Sequence, residues 1–425
     1  MSLMIGFSKT DATPTWAVEM AGYPPIRTRP GGPTEHSVYK GRDGQSTGVH
    51  LSIFVRSAVF GSEGEVTAIV SLDICNISSD FTEEVRSQLK RVTGFKWSNV
   101  FLCASHTHSG PDVCGLSSAP DKKTFDFFVD VTVASVLDAW HKQQSCSASW
   151  LSRAVPGLTI NRRNPEIQID SNLRQIVFTS VNSGQISGVI QSFVCHPIIA
   201  GAHNTLLFGD YPSVLSLEVE KSVGGDAPCL FLQGSCGDIN PLAFPYESNI
   251  NITVQAPSGS DEALKLRTVA EAERFGKIVS NFAIDMLSVK HQNIEGLIEA
   301  KSKSVRLQRR SLEDLESYLF QRDHDPERVQ RWLSSEQVDS ELGAIAFGNL
   351  VIIFLPGEPL TAVANQIRSQ LAKPEREVLI VGYCNDYPGY VVHPNDYEEV
   401  RYENAATVLA REGVAELMKE AASLL

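Results

Sequence analysis

The decapeptide CASHTHSGPD, residues 103–112, carries two of the chain's ten histidines one residue apart. It closes the apolar run NVFLCAS, which reads as a buried strand. Side chains at i and i+2 of a strand share a face, so His106 and His108 are expected to enter one cleft together. Two charged imidazoles so close repel each other, whereas a neutral or metal-bound pair does not. Similar residues stand at other strand ends. FVCHPIIAG puts His196 after an apolar run and before a proline, and FLPGEPLTAV puts Glu358 in a Pro-Gly-Glu-Pro turn. Taken singly, such a histidine can be satisfied by loop backbone, and such a glutamate can be a helix-start charge ahead of Pro359. Together, strands ending in His, His and Glu match the ligand set of a catalytic zinc with an open position. Rigid strand ends also supply the precision that such a site needs.

Three further segments carry groups able to do chemistry. LTINRRNP (158–165) sets Arg162 and Arg163 beside Asn161. LQGSCGDINP (232–241) is a strand running into a Gly-rich turn, with Ser235 and Cys236 as candidate nucleophiles and Asn240 beyond them. It does not match the GxSxG elbow. GYCNDYPGYVVHPNDYEEVRYENAAT (382–407) holds five tyrosines, at 383, 387, 390, 397 and 402. Each segment also has an ordinary reading: a solvated loop, a turn, and tyrosines packed with their hydroxyls wet.

The elements that must hold these groups follow from periodicity. Strand-like runs occupy 52–60, 66–74, 99–106, 174–181, 186–196, 229–235, 344–357 and 377–383. Asn-Ser-Gly at 182–184 and Gly348-Asn349 predict two hairpins. Helical periodicity spans 78–92, 124–140, 260–287 and 404–421. Strands interleaved with helices predict an α/β fold: a mixed β-sheet core flanked by helices, with the active site at strand ends and in long loops. Two such loops, at 22–48 and 240–261, are rich in Pro and Gly. No linker divides the chain, so 1–425 is expected to be a single domain with a helical lobe inserted at about 295–341.

Composition bounds the rest. A chain of 425 residues, 42% hydrophobic and 20% charged, can bury a sizeable core. The formal net charge is −13 and no Lys/Arg-rich run occurs, which argues against a nucleic-acid partner. No apolar run reaches the ~18 residues of a membrane span. Eight scattered cysteines without a CxxC pair read as buried free thiols. The opening MSLMIGFSKTDATP has no signal-peptide pattern. Cytoplasmic is therefore the default expectation, and secretion stays open should a leader have been trimmed. Nothing in the sequence speaks to oligomeric state.

Six of these segments resemble, in one order, the motifs of the neutral (non-lysosomal) ceramidase family. HTHSGP is similar to THTHSGP, INRRNP to INRSP, CHP to (A/V)HP, GDINP to GDVSPN and LPGEPLT to PGE(F/P)TT. YPGYVVHPNDYEEVRYENAAT is similar to YxxYVTTxEEYxxQRYEGAST. The resemblance runs from His106 to Thr407 and extends loosely towards residue 10 through DATPTWAVEMAGYP and GVHLSIFVRSAVF. It implies a ceramidase-like amide hydrolase of sphingolipid metabolism with one zinc per chain. The substrate so implied is N-acylsphingosine or a related small or lipid N-acyl amide. The resemblance makes His106, His196, Glu358 and Tyr390 the zinc ligands. It sets His108 and Arg162 against the scissile amide and makes Tyr402 the active-site tyrosine. A zinc so held lowers the pKa of bound water to about 7, and donors nearby stabilise charge growing on the carbonyl oxygen.

Two departures qualify this. Asn240 stands where the family motif has a serine; it cannot be a nucleophile, although its amide can hydrogen-bond a substrate. The immunoglobulin-like domain that follows the catalytic part in larger members is not found within these residues. Two alternatives follow: a family member that binds zinc and a ligand without hydrolysing ceramide, and a Ser/Cys hydrolase centred on Ser235 and Cys236. The acyl chain, the amine half, the general acid and amide versus ester are not legible.

Overall fold

Apolar, β-branched runs form two sheets in the computed structural model. It describes residues 3–23, 42, 45–61, 66–97, 99–116, 120–242, 267–294, 298–315, 326–399 and 401–425. The larger sheet contains β1 (Leu3–Asp11), β2 (Phe54–Phe60), β3 (Thr67–Leu72), β4 (Asn99–Ala104), β5 (Gln144–Ala154), β6 (Asn172–Ser180), β7 (Ile186–Phe193) and β8 (Cys229–Gln233). Their order is β8-β7-β6-β5-β1-β2-β3-β4, and Gln292–Asn293 adds to β5. The β8/β7 and β3/β4 pairs are parallel and the others antiparallel, so the sheet is mixed. The smaller sheet runs β9 (Ile298–Gln308), β10 (Gln337–Phe347), β11 (Leu350–Phe354) and β12 (Glu377–Val381), with β11/β12 parallel. Both expected hairpins are present, at β6/β7 and β10/β11.

The two sheets face each other. One core cluster combines Ile5, Phe60, Ile69 and Phe101 of the larger sheet with Ile345, Phe347, Phe354 and Leu379 of the smaller. At its centre Phe101 stacks on Phe354, ring centroids 4.4 Å apart and 4° from parallel. A side chain at Gly343 would overlap Phe101, so glycine permits this approach. Helices cover the outer faces. The larger sheet carries α1 (Ser79–Thr93), α2 (Lys122–His141), α3 (Asp210–Ser222) and α4 (Val269–Leu287). Behind the smaller sheet lie α5 (Pro326–Ser334), α6 (Thr361–Leu371) and, beyond the four-residue α7 (Tyr402–Ala405), α8 (Arg411–Ala422). Ser78 caps α1 through the Phe81 N–H, and Thr268 caps α4 through Glu271. No helix among the described residues is long and apolar enough to cross a membrane. All eight cysteines are buried and free.

Three expectations need correction. The described residues of 295–341, expected as a helical lobe, are mostly strand: β9 and β10 pair along eleven residues each, with α5 the longer described helix between them. In IEAKSKSVRLQ the apolar residues change face along the strand: Ile298 and Ala300 pack between the sheets, Val305 and Leu307 on the helix side, so no single alternation marks it. The run at 404–421 is not one helix. Ala406 and Val408 exchange backbone bonds with Tyr390 and Pro388, which ends α7 before α8 begins. Finally, the strand before His106 stops at Ala104. The loops at 22–48 and 240–261 lie mostly outside the described residues, as does the start of the helix expected at 260–287.

Candidate metal centre and active site

The C-terminal ends of β4, β7, β8, β11 and β12 meet at one edge of the sandwich, where loop backbones knit together. His106 N–H donates to Ile74, His108 N–H to Pro197 and His196 N–H to Ile239. His106 has φ of +64°, a conformation rare for a side chain of its size. Strand alternation therefore does not bring the two histidines of HTH together. A turn through the left-handed region does.

Three imidazoles converge there. The His106 and His196 Nε2 atoms are 3.0 Å apart, and the His108 Nε2 lies 3.2 and 3.3 Å from them. Glu358 Oε2 is 3.3 Å from His106 Nε2 and 3.9 Å from His196 Nε2. Carbonyl partners fix two tautomers. His106 Nδ1–H donates to Cys75 O at 2.7 Å, and His196 Nδ1–H to Cys236 O at 3.1 Å. In neutral rings both Nε2 atoms are then acceptors, crowded against each other and against a carboxylate. Lone pairs so placed repel unless a cation lies among them. Burial and the neighbouring His106 hold His196 well below its ordinary pKa, which keeps it neutral. Burial raises the Glu358 carboxyl, but His106, His196 and Tyr387 outweigh it and keep it ionised. Two imidazoles and one carboxylate, each oriented by a second hydrogen bond, fit a divalent zinc-type cation. His106, His196 and Glu358 form one buried group with metal-holding spacing; His106 and His108 form another with Cys75.

The remaining candidates surround this group. Glu358 lies in a two-residue strand, Glu358–Pro359, paired with Tyr390–Val391. The Tyr390 hydroxyl accepts from Arg162 at 3.1 Å. Arg162 also donates to Glu403 at 2.8 Å, and these partners outweigh burial and hold the guanidinium charged. Tyr402 is 53% exposed, its ring 5.6 Å from that of Tyr390. Asn240 is 5% exposed on Ile239–Pro241, which pairs with Thr159–Asn161. Its Oδ1 has no hydrogen-bond partner among the described residues. Cys236 fits a nucleophile poorly. Burial pushes its thiol well up, and the nearby His196 Nδ1 already carries the proton given to Cys236 O.

Sequence reasoning missed the groups that hold the ligands. The Tyr387 hydroxyl donates to Glu358 Oε1, and the Tyr383 hydroxyl lies 3.4 Å from Oε2. Glu403 orients Arg162, and Asp238 binds Thr361 and Asn161. Tyr23 packs edge-on against His108 at 4.9 Å. The tyrosine-rich stretch was the one signal available for the first two.

The chain's sequence matches the family described as Neutral/alkaline non-lysosomal ceramidase, N-terminal, over residues 4–251 and 327–418. It is 23% identical to a neutral ceramidase of Mycobacterium tuberculosis, over 91% of this chain and 73% of that protein. It is 29% identical to neutral ceramidase A of Dictyostelium discoideum, over 50% of this chain and 34% of that one. The fold is similar to that of the solved neutral ceramidase from Pseudomonas aeruginosa, with a TM-score of 0.74 and 18% identity over 99% of this chain and 74% of that chain. It is also similar to a solved ceramidase complexed with C2, with a TM-score of 0.75 and 19% identity over 100% of this chain and 75% of that chain.

Proposed function

The chain belongs to the neutral/alkaline non-lysosomal ceramidase family, and on that premise we propose that it is a zinc-dependent hydrolase of a ceramide-like N-acyl amide. One observation carries the reading. The Nε2 atoms of two carbonyl-anchored histidines lie 3.0 Å apart and crowd the ionised Glu358, an arrangement that a bound cation relieves. His106, His196 and Glu358 would hold the metal, with Tyr390 beside them. When bound, zinc supplies Lewis acidity and lowers the pKa of a water to about 7.

The chain's own residues supply the rest. Arg162, clamped by Glu403 and Tyr390, would present a fixed positive charge to the scissile carbonyl oxygen. His108 lies beside the ligands, half-sheltered, and can accept or deliver a proton at Nε2. The partly exposed Tyr402 hydroxyl and the unpaired Asn240 Oδ1 are placed to hydrogen-bond the polar part of a substrate. Asn240 offers no nucleophile at its position, and in this reading the attacking group is a water. Relatives and solved neighbours that carry the name ceramidase support the substrate class. We propose a single domain acting on a small-molecule or lipid substrate.

The test is metal content with activity. The expected result is about one zinc per chain, loss of short-chain N-acylsphingosine hydrolysis on chelation, and its return with zinc. His106→Ala and His196→Ala should lose both metal and turnover. Full activity in rigorously metal-free protein would sink the proposal.

A further inference from the structure

Tyr383 touches the supports of all three proposed ligands at once. Its ring stacks on His106, centroids 4.1 Å apart and 26° from parallel. Its hydroxyl lies 3.4 Å from Glu358 Oε2 and 3.0 Å from Cys236 Sγ. The Cys236 carbonyl in turn fixes the His196 tautomer. The residue is fully buried and held at φ +58°, a strained conformation that its surroundings must over-determine. Backbone bonds supply that constraint: Tyr383 N–H donates to Gly357 O, and Tyr383 O accepts from Ala104 N–H. The strain sits where the ends of β4 and β12 meet the turn carrying Glu358.

We infer that Tyr383 is the positioning residue of the metal centre, aligning His106, His196 and Glu358 through one stacking contact and a Cys236–Tyr383–Glu358 hydrogen-bond relay. The relay has one consistent direction. The carboxylate can only accept, so the tyrosine O–H donates to Glu358 and the Cys236 S–H donates to the tyrosine oxygen. Tyr387 holds the other carboxylate oxygen, so Glu358 is gripped from two sides and its rotation is fixed before metal arrives. The inference rests on the proposed metal site.

The test is zinc affinity, measured on full-length, metal-stripped protein by competition with a chromophoric chelator. Tyr383→Phe keeps the ring and loses the hydroxyl. We expect its zinc affinity to fall about 10–100-fold, with the melting temperature of the metal-free form within a few degrees of wild type. Cys236→Ala, which breaks only the thiol end of the relay, should weaken zinc by a few-fold and decides the matter should Tyr383→Phe not fold. His196→Ala serves as the ligand-loss reference. Wild-type affinity in Tyr383→Phe, or in Cys236→Ala where it stands in, would overturn the inference and leave the metal site intact. A lowered metal-free melting temperature with unchanged zinc affinity would mark a merely structural role and overturn it too. If wild type takes up no zinc, the metal reading falls first and this inference with it.

Discussion

At the scale of single residues, the contact with most leverage outside the ligands is Glu403 on Arg162. Glu403 is buried, and no other described carboxylate is shown bonding that guanidinium. Glu403→Gln removes the charge that orients Arg162 without touching the metal group. It should lower kcat by about 10²-fold, the cost of misplacing a reacting group by around 1 Å, with zinc content unchanged; steady-state kinetics beside metal analysis checks both. His106, His196, Glu358 and Arg162 were legible in the sequence because each follows a readable strand or sits in a short motif. Tyr383, Tyr387 and Glu403 were not, because which oxygen a phenol or carboxylate reaches depends on how residues 382–407 fold back. The same limit applies to His108. Its neighbours are visible only in three dimensions, where its Nε2 is as close to His106 and His196 as a third ligand would be.

At the scale of elements, the site depends on tight turns more than on the regular parts. Gly22 has φ of +97°, and a Cβ there would lie 2.4 Å from His108 Cγ. Gly22→Ala is therefore expected to displace His108 as well as strain the backbone. Turnover should fall at least about 10-fold, given the geometric precision catalysis needs, while metal-free stability drops by about 1–3 kcal/mol. Asn385, at φ +61°, pins the same edge: its Oδ1 accepts from Leu102 N–H and its Nδ2 donates to Val100 O and Glu341. Asn385→Ala takes the side-chain acceptor from the buried Leu102 N–H, while Arg86 still bonds Val100 O and Glu341, and should cost about 1–3 kcal/mol by denaturant titration. Most strands and both hairpins were readable from apolar runs and turn residues. The β9/β10 pair was not, because the apolar residues of β9 change face midway and charged ones stand between them. Nor was the break at 406–410, which is imposed by bonds to Pro388 and Tyr390 rather than by any breaker residue.

At the scale of the whole molecule, ionic contacts join the two halves of the sandwich. Asp170 bonds Arg174 on β6 at 2.8 Å and Arg368 on α6 at 2.5 Å, and Arg174 continues to Glu377 at 2.6 Å. Burial raises the Asp170 pKa, but the two arginines outweigh it and hold it below the usual carboxylate value. A depressed folded pKa contributes stability above the unfolded value of about 3.9, lost as pH falls through the folded value. Asp170→Asn should therefore cost about 3 kcal/mol near pH 7. The gap from wild type should close below about pH 4, as followed by thermal melts across pH. The larger architecture, two facing sheets between helices, was legible as a class but not as a topology, since strand order depends on long-range pairing. That long range has a kinetic consequence. His106 and His196 are 90 residues apart, and Glu358 comes far later in the chain, in the turn after β11 of the other sheet. A half-made chain therefore cannot assemble the three-ligand set, and loop closure delays it until late in folding. Zinc should act as a latch and not a template: it should slow unfolding while leaving the refolding rate nearly unchanged.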